Sequence, residues 1–270
     1  MTDDSQDVQR EQSLPHPDDI EDEVVEAQVE SKVEGLERLH RSWRSMLTTG
    51  FLGGVEIGLG VMAYMLTLHE TDSHLLAALA FSVGFISLYL AHSELFTEGF
   101  FYPIMAVLAT EATLGQLLRL WGLTLVTNLL GGLVVMSLVV TGLPQLVPVV
   151  GESAHHFVDM PLGWQAISLS LLGGAAITLM TRMQAGASSD FGTIIAAVVG
   201  AVLLAGPMLF HSVLDSIIIF GALVAGVEGV TLGGWLSFFW YAALFNILGG
   251  MLLVTIPRAI RGSEVEEARA

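Results

Sequence analysis

The sequence predicts an all-α integral membrane protein. Of its 270 residues 53% are hydrophobic, with a mean hydropathy of +0.68, above the roughly 45–50% apolar share of soluble domains. Apolar runs of membrane-spanning length also recur along the chain. A crossing needs about 20 mostly apolar residues for a hydrocarbon core of about 30 Å, and such runs occupy 46–67, 75–109, 117–141, 164–181, 190–225 and 235–256. The second and fifth runs are too long for one ordinary crossing. Each carries polar residues near its middle, at His92-Ser93-Glu94 and at His211 to Ser216, so both are expected to be broken helices.

Ahead of the first run, residues 1–37 hold 13 of the 27 carboxylates and no aromatic residue. Such a composition buries too little surface to offset ordering, so residues 1–45 are expected to form an acidic, mostly disordered tail. The tail lacks the basic start and apolar core of a secretory signal. Residues 46–257 are then the membrane domain and 258–270 a second tail. Basic residues favour the cytoplasmic side of short loops. Arg38, Arg41, Arg44, Arg119, Arg182, Arg258 and Arg261 all fall on one side of six crossings, while loops 68–74, 142–163 and 226–234 hold no Lys or Arg. Six spans of a cytoplasmic (inner) membrane with both termini inside satisfy this pattern, and five or seven do not.

The composition also excludes functions. A net charge of −17 with ten basic residues is unsuited to a nucleic-acid polyanion, which Lys and Arg must neutralise. The absence of cysteine removes disulfides, thiolate metal sites and a Cys nucleophile. There is no phosphate-binding Gly-Lys-Ser/Thr loop, nucleophile elbow or metal-binding helix motif, so neither an enzyme nor a cofactor is expected. His155 and His156 lie in an outer loop and lack the further ligands a metal site needs.

Asn128-Leu-Leu-Gly-Gly132 recurs as Asn246-Ile-Leu-Gly-Gly250, 118 residues on, and His92-Ser93 as His211-Ser212, 119 on. Two pairs at nearly one offset suggest a duplicated three-span unit. Three is odd, so the copies cross in opposite senses, as an inverted 3+3 repeat with its solute site near the midplane. Alternatively the Gly-Gly pairs only let helices pack closely.

These residues resemble the formate/nitrite transporter family. Ser93-Glu-Leu-Phe-Thr97 is similar to the loop that interrupts that family's second helix, and Phe81-Ser-Val-Gly84 to the stretch supplying an aromatic constriction. His211-Ser212 is similar to the central histidine of its broken fifth helix, and the two Asn-x-x-Gly-Gly segments to its third- and sixth-helix signatures. The resemblance covers residues 46–257. It implies an aquaporin-like protomer, a homopentamer in the lipid bilayer, and passage of a small monovalent anion or its weak acid with proton exchange at His211. Histidine's unperturbed pKa of about 6.5 suits such exchange. In the better-known branch an Asn stands where this chain has Asp215, and a vestibule lysine has no counterpart after Lys32. The pattern is closer to a divergent branch.

On this reading the path comprises His211, Asp215, Thr97, Ser212, Glu94, Asn128, Asn246 and Glu56. Constrictions form at Phe81 and Leu95 on one side of the histidine and at Leu204 on the other. Asp215, one turn from His211, is expected either to orient the imidazole or to form a buried structural pair with it. Glu94 is expected to tie down its loop, and Asn128 and Asn246 to bond freed backbone. Thr97 and Ser212 bond either solute or backbone. Glu56, near mid-membrane, is either functional or turned toward a partner. The competing function is an aquaporin-like conduit for a small neutral solute.

Overall fold

The computed structural model describes residues 17–269, and every regular element among them is helical. Helix α1 (Pro17–His40) precedes α2 (Trp43–Thr71) and α3 (His74–Leu90). A 3-10 turn (Phe96–Phe100) leads into the short α4 (Tyr102–Leu108), then α5 (Leu114–Gly142), a second 3-10 turn (Pro144–Leu146) and α6 (Val147–Val158). There follow α7 (Trp164–Ala185), α8 (Asp190–Ala205), α9 (Ser212–Ala225) and α10 (Leu232–Gly250). A π-helical turn (Met251–Thr255) carries α10 without a stop into α11 (Ile256–Arg269).

Hydroxyls fix where helices begin. Ser42, Ser73, Thr113, Ser189 and Thr231 each accept the backbone N–H three residues on, satisfying donors the first turn leaves open. Among the described residues, four helical stretches are long and apolar enough to cross a membrane: Trp43–Thr71, Leu114–Gly142, Trp164–Ala185 and Leu232–Val265. The shorter apolar helices come as two consecutive pairs, α3 with Phe96–Leu108 and α8 with α9. Each pair is separated by an irregular break containing one left-handed residue, His92 (φ 56°) or Met208 (φ 53°). Large apolar side chains such as Leu138, Trp164 and Phe191 point outward, a surface suited to lipid.

The tightest helix contacts depend on glycine. A Cβ on Gly54 of α2 would lie 2.1 Å from the Asn128 carbonyl oxygen of α5, and one on Gly174 of α7 would lie 2.0 Å from that of Asn246 in α10. No other residue allows this approach. It brings the Asn128 and Asn246 amides within reach of the two breaks.

Two expectations need correction. Residues 17–40, expected within the disordered tail, form α1; residues 1–16 lie outside the described residues. The acidic average concealed a stripe of Val24, Gln28, Ser31, Gly35 and Leu39 at helical spacing. Gly35 packs on the Tyr102 carbonyl of α4, Leu39 is fully buried and Gln28 nearly so. The pairing of His92-Ser93 with His211-Ser212 also fails as a structural correspondence. His92 is an exposed left-handed residue, whereas His211 is buried and extended at the head of α9.

Candidate functional site

The second break is closed by a reciprocal cap. Imidazole Nδ1 of His211 accepts the Leu214 backbone N–H (3.0 Å), and Asp215 Oδ2 accepts the His211 backbone N–H (2.7 Å). Asn246 completes the closure: its Oδ1 accepts Ser212 N–H (2.8 Å), while its Nδ2 donates to the carbonyls of Ser170 (2.7 Å) and Phe210 (2.8 Å). Asn128 does the same at the first break, accepting from Phe96 N–H (2.8 Å) and donating to Gly50 (2.6 Å) and Glu94 (2.9 Å) carbonyls. Backbone freed by interrupted helices must be satisfied internally when water is absent, and one buried asparagine serves each break. Both asparagines thus bond backbone, as expected. Ser216, which the sequence placed only at the edge of the break, donates to Ser212 O and accepts Trp235 Nε1–H.

The two breaks meet at His211 Nε2 and Thr97 Oγ1, 2.9 Å apart and buried. Because Nδ1 accepts a backbone N–H, the neutral ring carries its proton on Nε2, and Nε2–H donates to the Thr97 hydroxyl. Thr97 sits on a turn tied at many points. Trp121 Nε1 donates to Gly99 O (3.0 Å) and Thr255 Oγ1 to Phe100 O (2.6 Å). Arg41 donates to Glu94 (3.0 Å), and Arg38 lies 3.9 Å from Glu94 and 3.6 Å from Glu98 while bonding Glu34 at 2.7 Å. Burial alone would weaken the Arg38 charge, but the carboxylates of Glu94, Glu98 and Glu34 outweigh it and raise its pKa. Glu94 is thus the anchor that its loop position suggested.

Asp215, four residues after His211, helps wall a narrow cavity with Tyr64, Phe81, Phe157, Leu204 and Met208, of about 20 Å³, room for a water or two. Glu98, next to Thr97, borders a separate polar vestibule of about 340 Å³ together with Arg38, Arg41, Tyr89, His92 and Ser93. Phe81 and Leu204, expected on opposite sides of the histidine, share the cavity wall, and Leu95 is buried at the head of the 3-10 turn without lining it. Break geometry, rather than distance along the chain, brings α3 and α8 together there. Asp215 reaches the His211 backbone N–H and not its ring, in a reciprocal cap that resembles a capping box with the acidic residue one position later.

A model of the formate/nitrite transporter family matches residues 22–260. The chain belongs to this family. It is 26% identical over 245 residues to the uncharacterized transporter YrhG of Bacillus subtilis, covering 86% of this chain and 90% of that one. It is also 31% identical over 104 residues to the inner membrane protein YfdC of Escherichia coli, about a third of each chain. Its fold matches a solved FNT family ion channel with a TM-score of 0.77 at 18% identity, covering 86% of this chain and 97% of that one. A pentameric formate channel with formate bound matches at 0.68 and 19%, covering 78% and 94%.

Within this member of the formate/nitrite transporter family, several polar groups remain to be placed. Glu56 Oε1 accepts the Ser93 hydroxyl (2.8 Å), while its Oε2 and the Ser212 hydroxyl have no partner among the described residues. His155 bonds Asp159 and the Glu228 carbonyl, whereas His156 stacks edge-on against Phe157 and Phe210. Burial, then the neighbouring His74, lowers the His156 pKa, so its ring is neutral near pH 7. Sequence reading did not select Tyr64, Phe157, Arg38 or Glu98. Tyr64 was within reach, since it stands two turns after Glu56 on one helix. The Arg38 to Glu98 contact spans 60 positions and leaves no local pattern.

Proposed function

We propose that the chain conducts a small monovalent anion of the formate or nitrite kind, or its weak acid, across a cytoplasmic membrane. It does so as a homopentamer of six-crossing protomers with both termini inside. The repetition of three backbone hydrogen bonds around Asn128 and Asn246 supports an inverted 3+3 arrangement with broken second and fifth helices. The fold shared with a pentameric formate channel, together with the outward apolar faces, supports the assembly.

The observation that carries the reading is the Nε2–H to Thr97 bridge, whose sequence neighbours Asp215 and Glu98 border an apolar-walled cavity and a polar vestibule respectively. A bare ion in such a passage is costly, and apolar constrictions at Phe81 and Leu204 exclude it. Two fixed donors at the bridge, the imidazole N–H and the threonine hydroxyl, are what an arriving oxyanion needs in place of its hydration shell. A second proton on His211 would have to sit on Nδ1 and break the Leu214 bond. Transfer of the Nε2 proton would leave a strongly basic imidazolate. His211 therefore holds the anion by hydrogen bonding, and the proton that neutralises it comes from a hydronium ion of the vestibule, which is left behind as water.

Proteoliposomes carrying a pH-sensitive dye test this. A formate or nitrite gradient should shift luminal pH, whereas a glycerol gradient should leave pH unchanged and shrink the vesicles without the re-swelling that glycerol entry produces. The competing conduit for a neutral solute is favoured by the Asp215 carboxyl on the cavity wall, which repels anions. It takes over if formate and nitrite give no signal and glycerol swells the vesicles. Asp215→Asn keeps an acceptor for the His211 N–H and removes the charge. Anion flux should rise by up to about tenfold at low ionic strength, and the gain should shrink with added salt. Unchanged flux at low salt would sink a charge role for Asp215.

A further inference from the structure

The three arginines that follow the fourth and sixth apolar runs converge on one pocket. Arg182 ends α7, and Arg258 and Arg261 lie one turn apart on α11. With Gln28 of α1 and with Phe101 and Met105 they border a cavity of about 80 Å³. Helix α1 is seated closely on α11, since Gly262 packs directly on the Gln28 side chain.

The three guanidiniums are near enough to repel one another. Among the described residues no carboxylate lies within ion-pair distance of Arg182 or Arg258, and Arg258 donates to the Val254 carbonyl (3.2 Å). The contrast with Arg38 and Arg41, each paired to carboxylates, is informative in a chain of net charge −17. Carboxylates are plentiful, and the fold directs those two arginines to them while holding Arg182 and Arg258 apart. Like charges gathered around a cavity are destabilising unless a counter-charge enters. The planar guanidinium fork matches phosphate oxygens two at a time, and basic pockets at helix ends near a membrane surface suit anionic head groups.

We propose that Arg182, Arg258 and Arg261 form a binding site for a phosphate-class oxyanion, either the phosphodiester of an anionic lipid or free phosphate. The site is separate from the solute path and does not depend on which solute travels there.

The test uses the full chain, delipidated in zwitterionic detergent, with thermal unfolding as the readout. Adding phosphatidylglycerol, but not phosphatidylcholine, should raise the unfolding midpoint by about 5 °C at saturation. Inorganic phosphate is compared with chloride at matched ionic strength. A shift with lipid alone assigns the phosphodiester, and a shift with phosphate as well assigns the free anion. The R182Q/R258Q double variant, and R258Q alone, should lose the shift yet be at least as stable as the parent without ligand, because repulsion is relieved. The site is overturned if neither ligand raises the midpoint of the parent more than that of R182Q/R258Q. It is also overturned if the substituted proteins are less stable without ligand, which would mean the arginines are compensated within the protein.

Discussion

Asn246→Ala should prevent the protein from reaching a stable folded form. The substitution removes three hydrogen bonds at once and leaves the Phe210 carbonyl and the Ser212 N–H buried without partners, while the Ser170 carbonyl keeps its bond within α7. Each orphaned group costs about 1–3 kcal/mol. The sum, roughly 2–6 kcal/mol, removes a large part of the stability of a typical domain, about 5–15 kcal/mol. Asn128→Ala should be as damaging, through Gly50, Glu94 and Phe96. Asn246→Asp tests whether shape or donors matter: it has the same size but turns an oxygen toward two carbonyl oxygens, so it should fare no better than alanine. Size-exclusion profiles and thermal melts of detergent-purified protein report the outcome. An Asn246→Ala protein that elutes and melts like the parent would refute this account of the breaks.

His211→Asn should fold and assemble yet conduct at least about 100-fold more slowly, the low end of what one preorganised hydrogen-bond donor to an oxyanion contributes. Asparagine is among the best N-cap residues, so its side chain can replace Nδ1 as acceptor for Leu214 N–H, but it is too short to reproduce the Nε2–H at Thr97. The cap and the passage are thereby separated in one substitution. His211→Ala removes both and should add a cap loss of about 1 kcal/mol to the same loss of flux. The rate of luminal pH change under a formate gradient is the measurement. Parent-like flux in His211→Asn would remove the histidine from the path.

Much of the architecture was legible because membrane spans have few solutions. Apolar length, polar interruptions and one-sided arginines together pointed to long helices with two breaks. The Asn-x-x-Gly-Gly repeat was legible for a related reason: a buried amide that closes a break, with glycines that let it approach, needs those residues at both sites. The His92-Ser93 and His211-Ser212 match misled. By the asparagine bonds, Glu94 corresponds to Phe210 and Phe96 to Ser212, pairs with unlike side chains whose backbone groups do the bonding. Side-chain identity carries no trace of that register. Asp215 shows the same limit, since a spacing of four suggested a contact with the imidazole and the carboxylate went to the backbone instead. Helix α1 escaped notice because composition averages over a helix whose buried stripe is narrow.

The turn bearing Thr97 is held from several directions: by Asn128 and Trp121 of α5, by Thr255 of the π turn, and by Arg38 and Arg41 through Glu94 and Glu98. A segment restrained so heavily behaves as a template and not as a hinge. On the proposed path a solute would meet a threonine hydroxyl whose position is set before it arrives, with no loop to be ordered around it. Selection on that path would rest on how well a small molecule fits a fixed geometry. The tolerance of that fit is governed by residues as far from Thr97 in sequence as Thr255.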